Sequence, residues 1–253
     1  MEVFIIETGR SYKRRMQNGI SVITCTNRPL FMPRVFANYT RQQHPCSELI
    51  IILNNNQMKI DEWEGKANHY RDIQVYQLDE DVTLGTCYNF GIRQARYNYI
   101  AKFDDDDYYA PLYLSEAAQT FNRVDTDIVG KSTRFIYFED LKTLGLYAPF
   151  PEFSYVEYIV GATMVVKKEV FDGLSFPDVT IGEDSDFQTN CLAKGFKIYS
   201  SNKSNYVTIR HASPHVHTFR IDDLAYLSYC QELCRTDNYI DLISGNNYDE
   251  IFK

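Results

Sequence analysis

Along the first half of the chain, apolar runs of strand length alternate with longer stretches whose apolar residues recur at helical spacing. This is the pattern of a parallel sheet covered by helices. Residues 20–25 predict a first buried strand, broken by Asn27-Arg28-Pro29. Over residues 30–43, Leu30, Phe31, Val35, Phe36 and Tyr39 fall on roughly one helical face. Residues 48–53 predict a second strand, and the triplet Asn54-Asn55-Asn56 a turn after it. A helix over 61–71 carries the only tryptophan, Trp63, and is followed by a strand over 73–77 and a helix over 84–97. Residues 99–103 predict a fourth strand that runs into four consecutive aspartates, and Pro111 opens another helix.

From about residue 127 the pattern loosens, with strand-like pieces at 134–138 and 159–166 joined by short loops. A helix over 183–194 ends at Gly195, a residue suited to a left-handed cap, and strands over 196–199 and 206–209 follow. The tail from residue 222 reads as helical. The expected organisation is an N-terminal extension (1–18), an α/β domain (19–220) divided near 126/127, and a C-terminal helical tail (221–253). The segment 142–158, with two prolines and several aromatics, reads as a mobile cover over the site.

Composition narrows the function classes. A chain of 253 residues, 44% of them hydrophobic, buries a substantial core. A net charge of -8 excludes a nucleic-acid binder, which needs a basic face to neutralise phosphates, and suits an acidic site holding a metal. The six cysteines form no CxxC and no regular framework, so they read as reduced thiols. Cys230 and Cys234, one helical turn apart, read as a packing face. The opening MEVFIIETGR is too short an apolar run for a signal peptide, and no window approaches a membrane span. A cytoplasmic protein is expected, with Lys13, Arg14 and Arg15 a solvated basic cluster.

Three clusters carry candidate chemistry. In an extended strand, residues two apart face the same way, so Asp104 and Asp106 converge on one point while Asp105 and Asp107 point elsewhere. At the carboxyl end of a buried strand, such acids suit an oxygen-ligated divalent cation, Mg2+ or Mn2+. A calcium loop of the EF-hand kind fits worse, since Tyr109 stands where that turn needs glycine and Ser115 where it needs glutamate. Secondly, Glu183, Asp184 and Asp186 enter a helix, where the helix dipole favours acids. Asp184 is also a candidate general base, with Glu183 and Asp186 in support. Thirdly, RHASPHVHTF holds His211, His215 and His217, a source of a third metal ligand. Arg210 or Arg220 beside it suits a diphosphate.

Taken in order, ISVITCTNRP, ELIIILNNN, LGTCYNFGI, YIAKFDDDDYYAP, GATMVVKKEVFD and GEDSDF resemble the family 2 inverting glycosyltransferases with the GT-A fold, some bacterial spore-coat polysaccharide enzymes among them. The resemblance covers about residues 19–220. It implies a single mixed, Rossmann-like sheet flanked by helices, with a nucleotide-binding half (19–126) and an acceptor half (127–220). It also implies that Thr24, Thr26, Arg28 and Asn54 line the pocket for the donor's base. The family commonly has aspartate where this chain has Asn54, whose amide oxygen can also accept from the base. Gly85 and Asn89 match positions facing the donor. Asp104 and Asp105 compete for the ribose, Asp106 matches the direct metal ligand with His217 as a partner, Gly161 and Ala162 shape the sugar and acceptor pocket, and Asp184 matches the base.

The expected reaction is metal-dependent transfer, with inversion, of a sugar from a nucleotide-diphosphate donor, UDP-type, to a hydroxyl of a glycan or polysaccharide. Tyr108, Tyr109, Tyr147, Tyr155 and Tyr158 are candidates for stacking on an acceptor sugar. Two rivals share parts of this pattern. A sugar-nucleotide nucleotidyltransferase needs a glycine-rich loop after the first strand, and TCTNRP has no glycine. A silent nucleotide-sugar binding module has no use for the candidate base.

Overall fold

The computed structural model describes residues 19–212 and 221–243. Strands β1 (Ile20–Thr26), β2 (Ser47–Leu53), β3 (Ile73–Gln77) and β4 (Tyr99–Lys102) alternate with helices α1 (Met32–Thr40), α2 (Ile60–Ala67) and α3 (Leu84–Gln94). The short strand β5 (Tyr108–Tyr109) and helix α4 (Tyr113–Arg123) follow. Next come β6 (Ile128–Gly130), β7 (Arg134–Phe138), β8 (Thr143–Tyr147), β9 (Ser154–Tyr155) and β10 (Val165–Lys167). The described chain closes with α5 (Glu183–Ala193), β11 (Ile198–Ser200), β12 (Tyr206–Arg210), α6 (Asp223–Leu227), β13 (Gln231–Arg235) and α7 (Ile240–Ile243).

The large sheet has the order β3-β2-β1-β4-β10-β6-β11-β9. Its first four strands are parallel, in register Ile23↔Ile50 and Ile23↔Lys102. Strand β10 runs antiparallel between β4 and β6, so the two halves read from the sequence share one sheet. A parallel strand is covered on both faces and reads as an unbroken apolar run, which is why LIIIL of β2 is wholly buried. Val35 and Phe36 of α1, Trp63 of α2 and Leu114 of α4 pack on one face. Cys87 and Ile92 of α3 and Phe187 and Cys191 of α5 pack on the other.

A second sheet, of order β13-β8-β7-β12-β5, joins the large one through the short link after β4. Strands β7, β8 and β12 come from the second half, which is therefore more regular than its sequence pattern suggests, while β5 belongs to the first half and β13 to the tail. The expected cover segment contributes β8, paired antiparallel with β7. Among its described residues, the expected helical tail holds short helices and the strand β13, which pairs with β8 and carries Cys234, so Cys230 and Cys234 share no helix. All six cysteines are free.

Other boundaries shift for local reasons. The predicted helix over 30–43 opens as a 3-10 turn at Pro29–Phe31, and Leu30 is 90% exposed rather than packed. Residues 159–166 do not run as one strand, because a 3-10 turn at Gly161–Thr163 interrupts them and brings Gly161 against α5. The helix expected at Pro111 starts at Tyr113. No helix among the described residues is long and apolar enough to cross a membrane.

Candidate active site

The ladder of β4 stops at Lys102, and the acids after it follow a bend rather than an extended strand. The predicted sorting of the four aspartates therefore changes. Asp104, Asp106 and Asp107 each bring a carboxylate oxygen within 4.8 Å of the others. Asp105 turns away, buried, to accept from the Thr26 hydroxyl and the Arg28 guanidinium.

Neighbouring side chains hold this bend by its backbone. The Tyr109 hydroxyl accepts from the Asp104 N–H at 2.8 Å and donates to the Ala162 carbonyl at 2.7 Å. Arg34 donates to the Asp106 carbonyl at 2.6 Å, and Asn38 to that of Asp107 at 2.9 Å. Asp107 is buried, accepting from the Tyr206 hydroxyl and, at 3.0 Å, from the Ile209 N–H. Burial, reinforced by Asp106 and Asp104, pushes its pKa well up. Arg28 lies 3.0 Å from Asp106 and Lys102 2.8 Å from Asp104, which offsets only part of the crowding. Three convergent carboxylates with no nitrogen or sulfur donor among them are a donor set suited to Mg2+ or Mn2+.

These acids line a cleft of about 640 Å³ together with Gly161, Ala162, Glu183 and Asp184. Lys102 stands between, its ammonium 2.8 Å from Asp104 and 3.8 Å from Glu183. Burial alone would lower its pKa, but Asp104, Glu183 and Asp184 outweigh that and hold it above the ordinary value. Glu183, itself buried, is pushed up to about 7 by burial; Lys102 opposes the shift, and Asp184 and Asp104 add to it. Lys102 was absent from the residues singled out in the sequence. A lysine inside the apolar strand YIAKF was the available signal, since a buried ammonium requires carboxylate partners.

Gly182, at φ +84°, turns the chain into α5 without a side-chain cap and sets Asp184 in the first turn. Asp184 is half-buried, and its Oδ1 accepts from the Ser185 N–H at 2.8 Å. The other oxygen lies against Gly161, where an added Cβ would fall 1.8 Å from it. The Gln188 amide fixes that approach, accepting from the Ile159 N–H at 2.8 Å and donating to the Ile159 carbonyl at 3.0 Å.

The remaining sequence candidates divide. Thr26, Arg28 and Asp105 form one hydrogen-bonded group at the end of β1, with Thr24 buried below them. Asn54 stands at the end of β2, its amide donating to the Asp79 carbonyl at 2.6 Å. Gly85 and Asn89 do not face the cleft but hold the 176–179 loop. A Cβ on Gly85 would meet the Pro177 carbonyl at 1.9 Å, and Asn89 donates to and accepts from the Phe176 backbone. His215, His217 and Arg220 lie outside the described residues. His211 contacts Glu139 and the Asp106 carbonyl rather than the acidic carboxylates, and Arg210 is engaged by Asp223 at 2.9 Å. Of the candidate tyrosines, Tyr147 and Tyr158 line the cleft, whereas Tyr109 stacks on Phe103 in the core, Tyr108 packs edge-on to Tyr239 and Tyr155 edge-on to Tyr199.

Comparison with solved structures places this architecture among known ones. S. aureus TarS 1-349 in complex with UDP-GlcNAc superposes with a TM-score of 0.61 over 80% of this chain and 62% of that one, at 16% identity. A mannosyltransferase from Pyrobaculum calidifontis, in complex with GDP-Man and Mn2+, gives 0.59 over 77% and 57%, at 15% identity. The chain thus spans less than two thirds of these proteins' lengths. No curated protein matches it. The model of glycosyl transferase family 2 matches residues 21–160, more than half of the sequence, and the chain belongs to that family, with its GT-A fold.

Proposed function

We propose that this chain is a metal-dependent, inverting glycosyltransferase that moves a sugar from a nucleotide-diphosphate donor, UDP-type, to a hydroxyl of a glycan or polysaccharide acceptor. The observation that carries this reading is one cleft lined both by an oxygen-donor cluster and by a carboxylate, Asp184, seated on a glycine. Structures of the same fold contain UDP-GlcNAc in one case and GDP-Man with Mn2+ in the other, which supports a nucleotide sugar as donor.

The division of labour follows from the chemistry. An acceptor hydroxyl is a weak nucleophile until a positioned base takes its proton, and Asp184 is the carboxylate placed to do so. As the acceptor oxygen bonds to the anomeric carbon, the bond to the diphosphate breaks and its electron pair leaves with the phosphate oxygen. A displacement on one face with departure from the other inverts the anomeric centre. Asp106, with Asp104 and Asp107, would hold a divalent cation, whose contribution is electrostatic stabilisation of charge on the diphosphate. Lys102 keeps the base side and the acidic side apart by neutralising Asp104 and Glu183 together. Thr26, Arg28 and Asn54 are assigned to the nucleotide, as the family resemblance implies. His217 remains a proposed additional ligand.

Asp184→Asn tests the assignment. Transfer from UDP-GlcNAc or GDP-mannose with Mn2+ should be abolished while nucleotide binding, followed by calorimetry, stays within a few-fold of the wild type. Wild-type turnover in the variant removes Asp184 from the mechanism.

A further inference from the structure

The cleft contains one cation that the mechanism leaves unused. Lys102 is taken by Asp104 and Glu183, and Arg210 by Asp223. Arg134, at the start of β7, also lines the cleft, yet no carboxylate among the described residues lies within ion-pair distance of it. Its contacts are with aromatic groups. One terminal nitrogen donates to the Tyr226 hydroxyl at 2.7 Å, and the guanidinium carbon lies 4.9 Å above the Tyr147 ring. These contacts orient the planar fork without neutralising it. Among the described residues, two buried side-chain atoms here also lack a hydrogen-bond partner, the Arg134 Nε and the Ser132 Oγ. Ser132 is 1% exposed and lines the same cleft. Buried polar atoms left unpaired are costly, so a patch that keeps two of them beside an uncompensated guanidinium is built for a group that arrives from outside.

The position of the patch identifies which substrate brings that group. The backbone connects it to the base: the Val160 N–H donates to the Lys131 carbonyl at 2.9 Å, which sets Ser132 beside the segment whose Gly161 seats Asp184. Ser132 and Arg134 thus line the cleft beside the seat of Asp184, while Asp104, Asp106 and Asp107 form the cluster assigned to the donor's diphosphate. We propose that Arg134 and Ser132, walled by Tyr147 and Tyr226, form an oxyanion subsite, so that the acceptor deprotonated by Asp184 carries a phosphate or carboxylate near its reacting hydroxyl. This assignment rests on the glycosyltransferase reading and adds an acceptor class to it. A guanidinium fork paired with a hydroxyl donor recognises either oxyanion, and a neutral sugar leaves both unsatisfied.

The test is a calorimetric titration of the full chain with glucose, glucuronate and glucose 6-phosphate. UDP and Mn2+ are saturating throughout, so that the diphosphate position is already filled. The two anionic probes should bind at least about tenfold more tightly than glucose, as expected for hydrogen bonds to a charged group. Arg134→Gln should erase that advantage and Arg134→Lys keep part of it, with UDP affinity unchanged within about twofold in both. If Arg134→Gln lowers the melting temperature, Arg134→Lys and Ser132→Ala carry the same comparison. An anionic advantage that survives in Arg134→Gln, or is missing from the wild type, overturns the proposal. So does a loss of UDP affinity in Arg134→Gln, which would assign the residue to the donor. Failure of the wild type to bind UDP refutes the functional reading instead, and the anionic advantage measured without UDP then decides the subsite alone.

Discussion

Gly161→Ala isolates the placement of the proposed base without touching its chemistry. The added methyl would lie 1.8 Å from Asp184 Oδ2, 2.6 Å from its Cγ and 2.7 Å from its Cβ. Ordinary carbon contacts begin at about 3.5 Å, so the carboxylate must retreat by more than an ångström. The backbone at Gly161 is not left-handed, and alanine therefore carries no conformational penalty of its own. Rotation of the half-buried Asp184 side chain relieves the carboxylate contacts, but its Cβ is fixed by the backbone, so the first turn of α5 or the 3-10 turn at Gly161 must also shift by most of an ångström. A misplacement of about 1 Å in a catalytic constellation costs about a hundredfold in rate, and transfer should fall by about that factor. The assay is steady-state transfer from a nucleotide sugar in four proteins: wild type, Gly161→Ala, Asp184→Asn and the double variant. If Gly161 acts only through Asp184, the double variant should be no worse than Asp184→Asn. Wild-type kcat in Gly161→Ala, or a further hundredfold loss in the Asp184→Asn background, refutes the reasoning.

Other outcomes follow from the same geometry. Lys102→Met strands Glu183 beside Asp104 in a buried site and should destabilise the fold by about 3 kcal/mol, the lower end for a broken buried pair because Asp104 keeps some water contact; denaturation in urea measures it. Glu183 holds its proton more tightly when folded, with a pKa near 7 against an ordinary 4.5, so stability should fall as pH rises from about 4.5 through 7. That loss should reach about 3 kcal/mol by pH 8, and Glu183→Gln should flatten it; equal pH dependence in the two proteins removes the assignment. Mn2+ with UDP should raise the melting temperature and chelation should abolish transfer, with Asp106→Ala losing the Mn2+-dependent part of both.

The sequence by itself determined the strand–helix alternation of residues 20–102. Alternating apolar runs place β1 to β4 and their helices, because a strand buried on both faces must be apolar throughout and a covering helix must repeat its apolar stripe. The same strand-end logic located the aspartates, and the left-handed cap at Gly195, at φ +87°, was legible in its residue type. What the tertiary structure alone decided is which atoms meet. Alternation along a strand stops where the ladder stops, so Asp107 joins Asp104 and Asp106 only because Tyr109, Arg34 and Asn38 bend the chain after Lys102. Asn89 and Gly85 carry the family pattern but are spent on the 176–179 loop, since an amide or a missing side chain serves whichever backbone lies nearest. The strands of the second sheet are short and pair across long sequence separations, leaving a weak local signal. The seating of Asp184 on Gly161 and the uncompensated charge of Arg134 depend on contacts between distant segments, and such contacts have no local signature in the order of the residues.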